Sequence, residues 1–283
     1  MIEAIPVGSL RGAVPRIGGS PWLWLVIIVG GLVAGWVLRG YIAPYGPAEV
    51  HADRGLLPIA SPGSPLGTDT FGRDLVSRLL AGVPVSIIAG IIPAAVGMTL
   101  GMAIGLVSGL LGGRVDRLIM SLMDVLLAFP FILLAILAIA VLGPSLQNAM
   151  IAVTIAILPR NARIIRAEVL SLRERDYVTA ARLAGASQTS ILWQHLVPNV
   201  LPTALVVGST EIGHMIASTS GLSFLGLGVQ PPDVDWGTLI AEGSRYVTVA
   251  PHLALIPSVV VAVVSLMFVL VGDDLRHRLS RTN

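Results

Sequence analysis

The 283-residue chain contains no cysteine and no lysine; all 18 of its basic residues are arginine. The first absence excludes disulfides, thiolate nucleophiles and Cys-ligated zinc or iron–sulfur centres. The second excludes lysine Schiff bases and the Walker A phosphate loop, which needs its Lys. Any energy source is therefore expected in another chain. Charge is also scarce: 12% of residues are charged against 54% hydrophobic, and mean hydropathy is +0.86. A soluble domain carries about 25% charged residues and could not cover so much apolar surface. The composition reads as an all-α, polytopic membrane protein. A formal net charge of +2 is too small to point to nucleic acid, and the basic pI reflects arginines bordering the membrane.

Motifs for enzyme chemistry are missing too. The five histidines, at 51, 195, 214, 252 and 277, form no HExxH or other close ligand pair, and neither GxSxG nor GxGxxG occurs. No metal site and no catalytic residue is expected in this chain.

What the sequence has is long apolar runs. A hydrocarbon core about 30 Å thick needs about 20 apolar helical residues, and six runs qualify: 22–43, 83–111, 118–142, 145–165, 200–222 and 251–271. The first follows Arg11 and Arg16 but is longer than a signal-peptide core and has no small-residue cleavage site after it, so it reads as a retained anchor. Thirteen arginines, among them Arg11, Arg16, Arg114, Arg160, Arg166, Arg173, Arg276 and Arg281, fall on one side, and Arg39, Arg54, Arg73, Arg78 and Arg245 on the other. The positive-inside rule then places both termini in the cytoplasm. The expected divisions are a tail over 1–21, a first helix over 22–43, an external segment over 44–82, a membrane domain over 83–272 and a tail over 273–283. The inner loop 166–198 reads as helix, turn, helix, the first helix running over 167–185 with Gly185 as a left-handed cap, Ser187 as the next N-cap and a stop before Pro198.

Gly97, Gly101, Gly105, Gly109 and Gly113 recur every four residues, which predicts a bare stripe for close helix packing or, alternatively, a sliding surface. Asp124, Glu211 and His214 are ionisable groups inside expected spans. Asp124 either makes a polar contact near the inner end or lines a path. Glu211 and His214, three apart on one helix face, either line a solute path or bond to a neighbouring helix. Outside the membrane, Asp69, Arg73, Asp74 and Arg78 are placed to form a salt-bridge network, with Gly67 and Gly72 permitting turns. The alternative for this segment is direct contact with solute or a binding protein.

Several of these segments resemble one family. SPLGTDTFGRDLVSRLLAG over 64–82 resembles the opening signature of the second permease subunit of bacterial ABC importers for dipeptides, oligopeptides and nickel. GGRVDRLIMSLMDVLLAFP over 112–130, SLRERDYVTAARLAGAS over 171–187, GLSFLGLGVQPP over 221–232 and GDDLR over 272–276 continue the resemblance, which covers 22–278.

The resemblance implies the type I importer permease fold and a non-catalytic role in alternating-access transport of di- and oligopeptides. A nickel or metal-chelate importer shares these motifs and stays open. From a different class, an ATP-independent secondary transporter or channel would use Glu211 and His214 as a proton relay. The implied partners are a homologous second permease, two ATP-binding subunits that hold ATP and Mg, and an extracytoplasmic binding protein, all at the bacterial cytoplasmic membrane. The inner loop is similar to the EAA coupling motif, which docks on the ATPase. It maps to Thr179, Ala180, Ala181 and Gly185 and ends at Val197 and Pro198, with Arg175, Asp176, Tyr177, Arg182 and Ala186 around it. Thr179 stands where the family has Glu, which removes a charge available for pairing. His195 stands where an aliphatic residue is usual, and a local repacking is expected there.

Overall fold

The computed structural model describes residues 20–43 and 45–279. Arg11, Arg16 and Arg281, residues 1–19 of the expected first tail, Pro44 and residues 280–283 lie outside the described residues. Helix α1, Pro21–Val37, opens with a proline at its first turn, where the missing N–H has no partner to lose, and is followed by a short α2, Arg39–Ile42. Turns lead to α3, Leu75–Leu111, capped by Asp74, whose carboxylate accepts from Ser77 N at 2.8 Å. This helix begins eight residues before the run at 83. Asp74, expected among the salt bridges, serves instead as the N-cap, and the end of the external motif forms the first two turns.

The third run is not one helix. It divides into α4, Gly113–Leu127, and α5, Phe131–Leu142, set at 90° to each other. Pro130 lies at the break with extended ψ, since proline cannot donate to a continuing helix. Helix α6, Leu146–Arg173, is capped by Ser145. The helix expected over 167–185 is two: its first part continues α6, and the chain turns at Glu174 and the extended Arg175. Then come α7, Asp176–Leu183, and α8, Gln188–Ile191, with Gly185 at φ +86° between them and the Ser187 hydroxyl accepting from Ser190 N. No stop occurs at Pro198: a wide π-type turn, Leu192–Leu196, runs straight into α9, Val197–Phe224, and Pro198 sits in its first turn. Helices α10, Trp236–Ser244, and α11, His252–Leu279, complete the chain.

All six apolar runs lie in helices. Among the described residues α3, the continuous stretch from Gln188 to Phe224, and α11 are long and apolar enough to cross a membrane, and the α4–α5 pair is a fourth if it counts as one span. Helix α1 is apolar but 17 residues long, and α6 carries Arg160, Arg163 and Arg166 in its second half. One apolar cluster, with Leu75, Val83, Trp236 and Leu253, joins α3, α10 and α11. Another, with Ile165, Val169, Val178, Ile191 and Val200, ties α7 and α8 to α6 and α9.

The glycine stripe is where α3 meets α6. A Cβ at Gly97 would come within 2.7 Å of Ile157, at Gly101 within 2.4 Å of Asn161, at Gly105 within 2.7 Å of the Ala162 carbonyl and at Gly109 within 2.6 Å of Val169. Gly113 leaves the stripe: it lies beyond the end of α3, at φ +57° with open space around it. Gly101→Leu is expected to cost about 1–3 kcal/mol through overpacking, read as a lower unfolding temperature of the purified protein. Gly221→Ala, in open space on α9, is expected to leave that temperature unchanged or raise it.

Candidate functional site

At one end of the bundle α7 hangs on α6 through a two-residue connection and is fastened by Val178, its one fully buried side chain. Arg175, Asp176, Tyr177, Thr179, Ala180, Arg182 and Gly185 face outward, while Ala181 and Ala186 are half-buried. The structure therefore gathers the residues of the expected coupling motif on one surface. Two further residues dominate that surface: Leu183 is 85% exposed and Trp193 64%. Both were missed in the sequence, where the visible signal was a large apolar residue on an otherwise polar stretch. The Tyr177 and His195 rings lie 5.9 Å apart, so His195 joins the aromatic edge of this surface.

Behind it, the second half of α6 is held by charge. Arg166 Nε and Nη2 donate to the two oxygens of Asp116 at 2.5 Å each, and Ser108 also donates to that carboxylate. Arg173 Nη1 donates to the Gly109 carbonyl at 2.9 Å. Asp124 pairs with Arg163 on α6 with both side chains half-exposed, a polar strut between α4 and α6. Glu211 and His214 are separated. Glu211, 1% exposed, accepts from Asn161 Nδ2 at 2.9 Å and locks α9 to α6, while His214 points outward. Among the described residues no hydrogen bond links Glu211 to His214.

At the opposite end, Arg73 Nε donates to Asp69 at 2.6 Å and Arg78 Nη1 donates to the same oxygen at 2.9 Å. Gly72 permits the turn, because a Cβ there would come within 1.9 Å of the His51 carbonyl. The structure adds Glu242 of α10, which accepts from Arg73 at 2.9 Å and from Arg78 at 2.5 Å. No local pattern announces Glu242, since it lies 164 residues from Arg78. Burial pushes its carboxyl up, but hydrogen bonds and charge from Arg78 and Arg73 outweigh that and hold it below the usual glutamate range. Asp235 caps α10 in a reciprocal box with Thr238, and burial raises its carboxyl against the hydrogen bonds it accepts. The network lines a cleft of about 330 Å³ with Phe71, Arg245 and Tyr246 at its sides.

Residues 97–281 match the family described as binding-protein-dependent transport system inner membrane component. A protein of Brucella suis biovar 1 named as a peptide transport system permease is 40% identical over 256 residues, 90% of this chain and 83% of its own length. The glutathione transport system permease protein GsiD of Salmonella paratyphi A is 46% identical over 213 residues, 75% of this chain and 70% of its own length. Among solved structures, a chain of the MetNI methionine ABC transporter in an inward facing conformation superposes with a TM-score of 0.59 at 18% identity, covering 71% of this chain and 95% of that one. At that identity the likeness concerns the fold.

Because Glu242 titrates lower in the folded chain than in the unfolded one, its stabilising contribution is present above pH 4.5 and fades as pH falls through the folded value. The unfolding temperature of the detergent-purified protein is therefore expected to drop on acidification below pH 4.5, and Glu242→Gln to flatten part of that drop. Arg78→Met, which leaves the Asp69 and Glu242 carboxylates to Arg73 alone, is expected to cost about 1–3 kcal/mol. An unchanged profile in Glu242→Gln would remove Glu242 from the network.

Proposed function

The chain belongs to the family of binding-protein-dependent transport system inner membrane components, and from that membership we propose that it is a permease subunit of an ATP-driven importer of di- and oligopeptides. The observation that carries the reading is the surface around Leu183 and Trp193, an exposed apolar and aromatic patch on a segment rooted in two long helices. Large apolar side chains ringed by Arg175, Asp176 and Arg182 suit a protein partner better than water. The partner here is one of two ATP-binding subunits, which hold ATP and Mg; this chain holds no cofactor and carries out no hydrolysis.

The arginine-rich end with α7 and α8 faces the cytoplasm, as do both termini, and the Asp69–Glu242 network faces outward toward an extracytoplasmic binding protein. A homologous second permease completes the path. Closure of the ATPases moves α7, and the polar struts on α6 and the unbroken passage from α8 into α9 carry that motion into the spans as a rigid-body change. Thr179 is exposed in the dock without the charge a glutamate would bring, so Arg175, Asp176 and Arg182 supply the polar contacts. The peptide assignment is supported by relatives named for peptide and glutathione transport.

Gly185 sits at φ +86° with open space around it. Gly185→Glu is expected to insert normally and to lower peptide uptake at least tenfold, because a charged side chain enters the dock. Gly185→Asn, which tolerates the left-handed conformation, is expected to keep most uptake. Wild-type uptake and ATPase stimulation in Gly185→Glu would overturn the coupling assignment. Uptake of nickel chelates in place of peptides would overturn the solute.

A further inference from the structure

Exposed positions on most spans carry long apolar side chains, such as Ile91 and Ile92 on α3, Val141 on α5 and Val259 on α11, as faces bathed in lipid do. The outer half of α9 differs. Its exposed positions are His214, Ala217, Gly221 and, at its last residue, Phe224, with Ser218 half-exposed beside them. Before Phe224 no large apolar side chain is exposed there, and an imidazole on such a face gains nothing from hydrocarbon.

This face continues a cleft. Between α6, α9 and α11 lies a groove of about 430 Å³ lined by Ile164, Thr203, Val206, Val207 and Arg276, among others, with no carboxylate in its wall. On α9, positions 203, 207, 210 and 214 fall on one helical stripe, so His214 lies two turns beyond Val207 on the side that Thr203 and Val207 line, with Thr210 between them packed against Gly272 of α11. On α6, Arg160 is exposed one turn from Ile164 on the same face. The two helices run antiparallel there: Asn161 bonds Glu211, while Ile164 shares the groove with Val206 and Val207. That register puts Arg160 and His214 within about 3–5 Å of the same level on the two helices, at 1.5 Å rise per residue. Arg160 makes no hydrogen bond or ion pair with any described residue, and acts only at a distance on Glu211, whose carboxylate is turned inward to Asn161.

We propose that this groove is this chain's wall of the solute path and that Arg160, with His214 opposite, receives a carboxylate of the solute while the apolar wall takes its side chains. The inference rests on the permease reading and narrows its solute class to molecules with a free carboxylate, such as a peptide C-terminus. A guanidinium matches a carboxylate in bidentate geometry.

The absence of cysteine permits a direct test. His214→Cys, and Ser218→Cys as a second reporter, are each placed in the assembled transporter in membrane vesicles and labelled with anionic and cationic methanethiosulfonates, the adduct being read by mass on this chain. Labelling of both is expected, with the anionic-to-cationic rate ratio falling at least about fivefold when Arg160→Gln is added, as expected for loss of one nearby charge. In uptake with the native His214, a peptide is expected to outcompete its C-terminal amide, and Arg160→Gln to reduce that preference about tenfold, with Arg160→Lys keeping part of it. No labelling at either reporter, an unchanged ratio, or an unchanged acid-to-amide preference in Arg160→Gln would overturn the proposal. Failure of the wild type to move any peptide would instead overturn the peptide reading, since the labelling result stands without it.

Discussion

The close contact of α3 with α6 is the constraint on which the other arrangements depend. In a bilayer, helices gain little from hiding apolar side chains from one another, so association relies on van der Waals contact and interhelical hydrogen bonds. Four glycines, at 97, 101, 105 and 109, remove the side chains that would hold the backbones apart. Once α6 lies in that groove, Arg173 reaches the Gly109 carbonyl, Arg166 reaches Asp116, and Asn161 is positioned to bond Glu211 on α9. Each bond would be lost if α6 moved outward by the width of a methyl group.

The two ends of the bundle use charge differently. At the end with Asp69, two arginines and two carboxylates satisfy one another, and Trp236 closes the gap by donating its indole N–H to the Leu79 carbonyl at 3.2 Å. At the end with α7, the ion pairs lie behind the loop and steady α6, while Leu183, Trp193 and Tyr177 remain uncovered. The polar groups of the first end pair within the chain, although Phe71 and Val249 stay exposed there, while the second end leaves large apolar and aromatic side chains bare among polar ones. That asymmetry agrees with the proposed importer, in which the outer mouth keeps its shape while the inner loop receives force.

Force applied at α7 has two routes inward. One passes through α6 and its struts to α3 and α4; the other passes through α8 and the π-type turn into α9, which continue as a single helical stretch. Asn161 and Glu211 join the two routes inside the bundle. A polar bond in a low-dielectric interior holds one geometry firmly, so α6 and α9 are coupled at the depth of Asn161 and Glu211, next to Arg160.

Much of the local structure was legible in the amino acids. The apolar runs, the glycine spacing, the left-handed Gly185 and the Ser187 cap follow from short-range rules of steric freedom, capping and periodicity, while the motif on α7 was legible only through its resemblance to a family. The hydropathy pattern misplaced the start of α3, because Asp74, Ser77 and Arg78 look external by composition although Asp74 nucleates the helix and Arg78 finds carboxylates. It also ran one span across Pro130, where the chain bends by 90°, although α4 carries Arg114, Asp116, Arg117 and Asp124 and α5 carries no charge. Sequence alone determined which segments are helical, because backbone hydrogen bonds in a membrane must close within the segment. Tertiary structure decided which side chains meet: that Glu242 joins Arg78 across 164 positions, that Glu211 turns inward and His214 outward, and that Leu183 and Trp193 stay bare. Those outcomes depend on which helix lies against which, and residues far apart in the chain carry no periodic signal of their eventual neighbours.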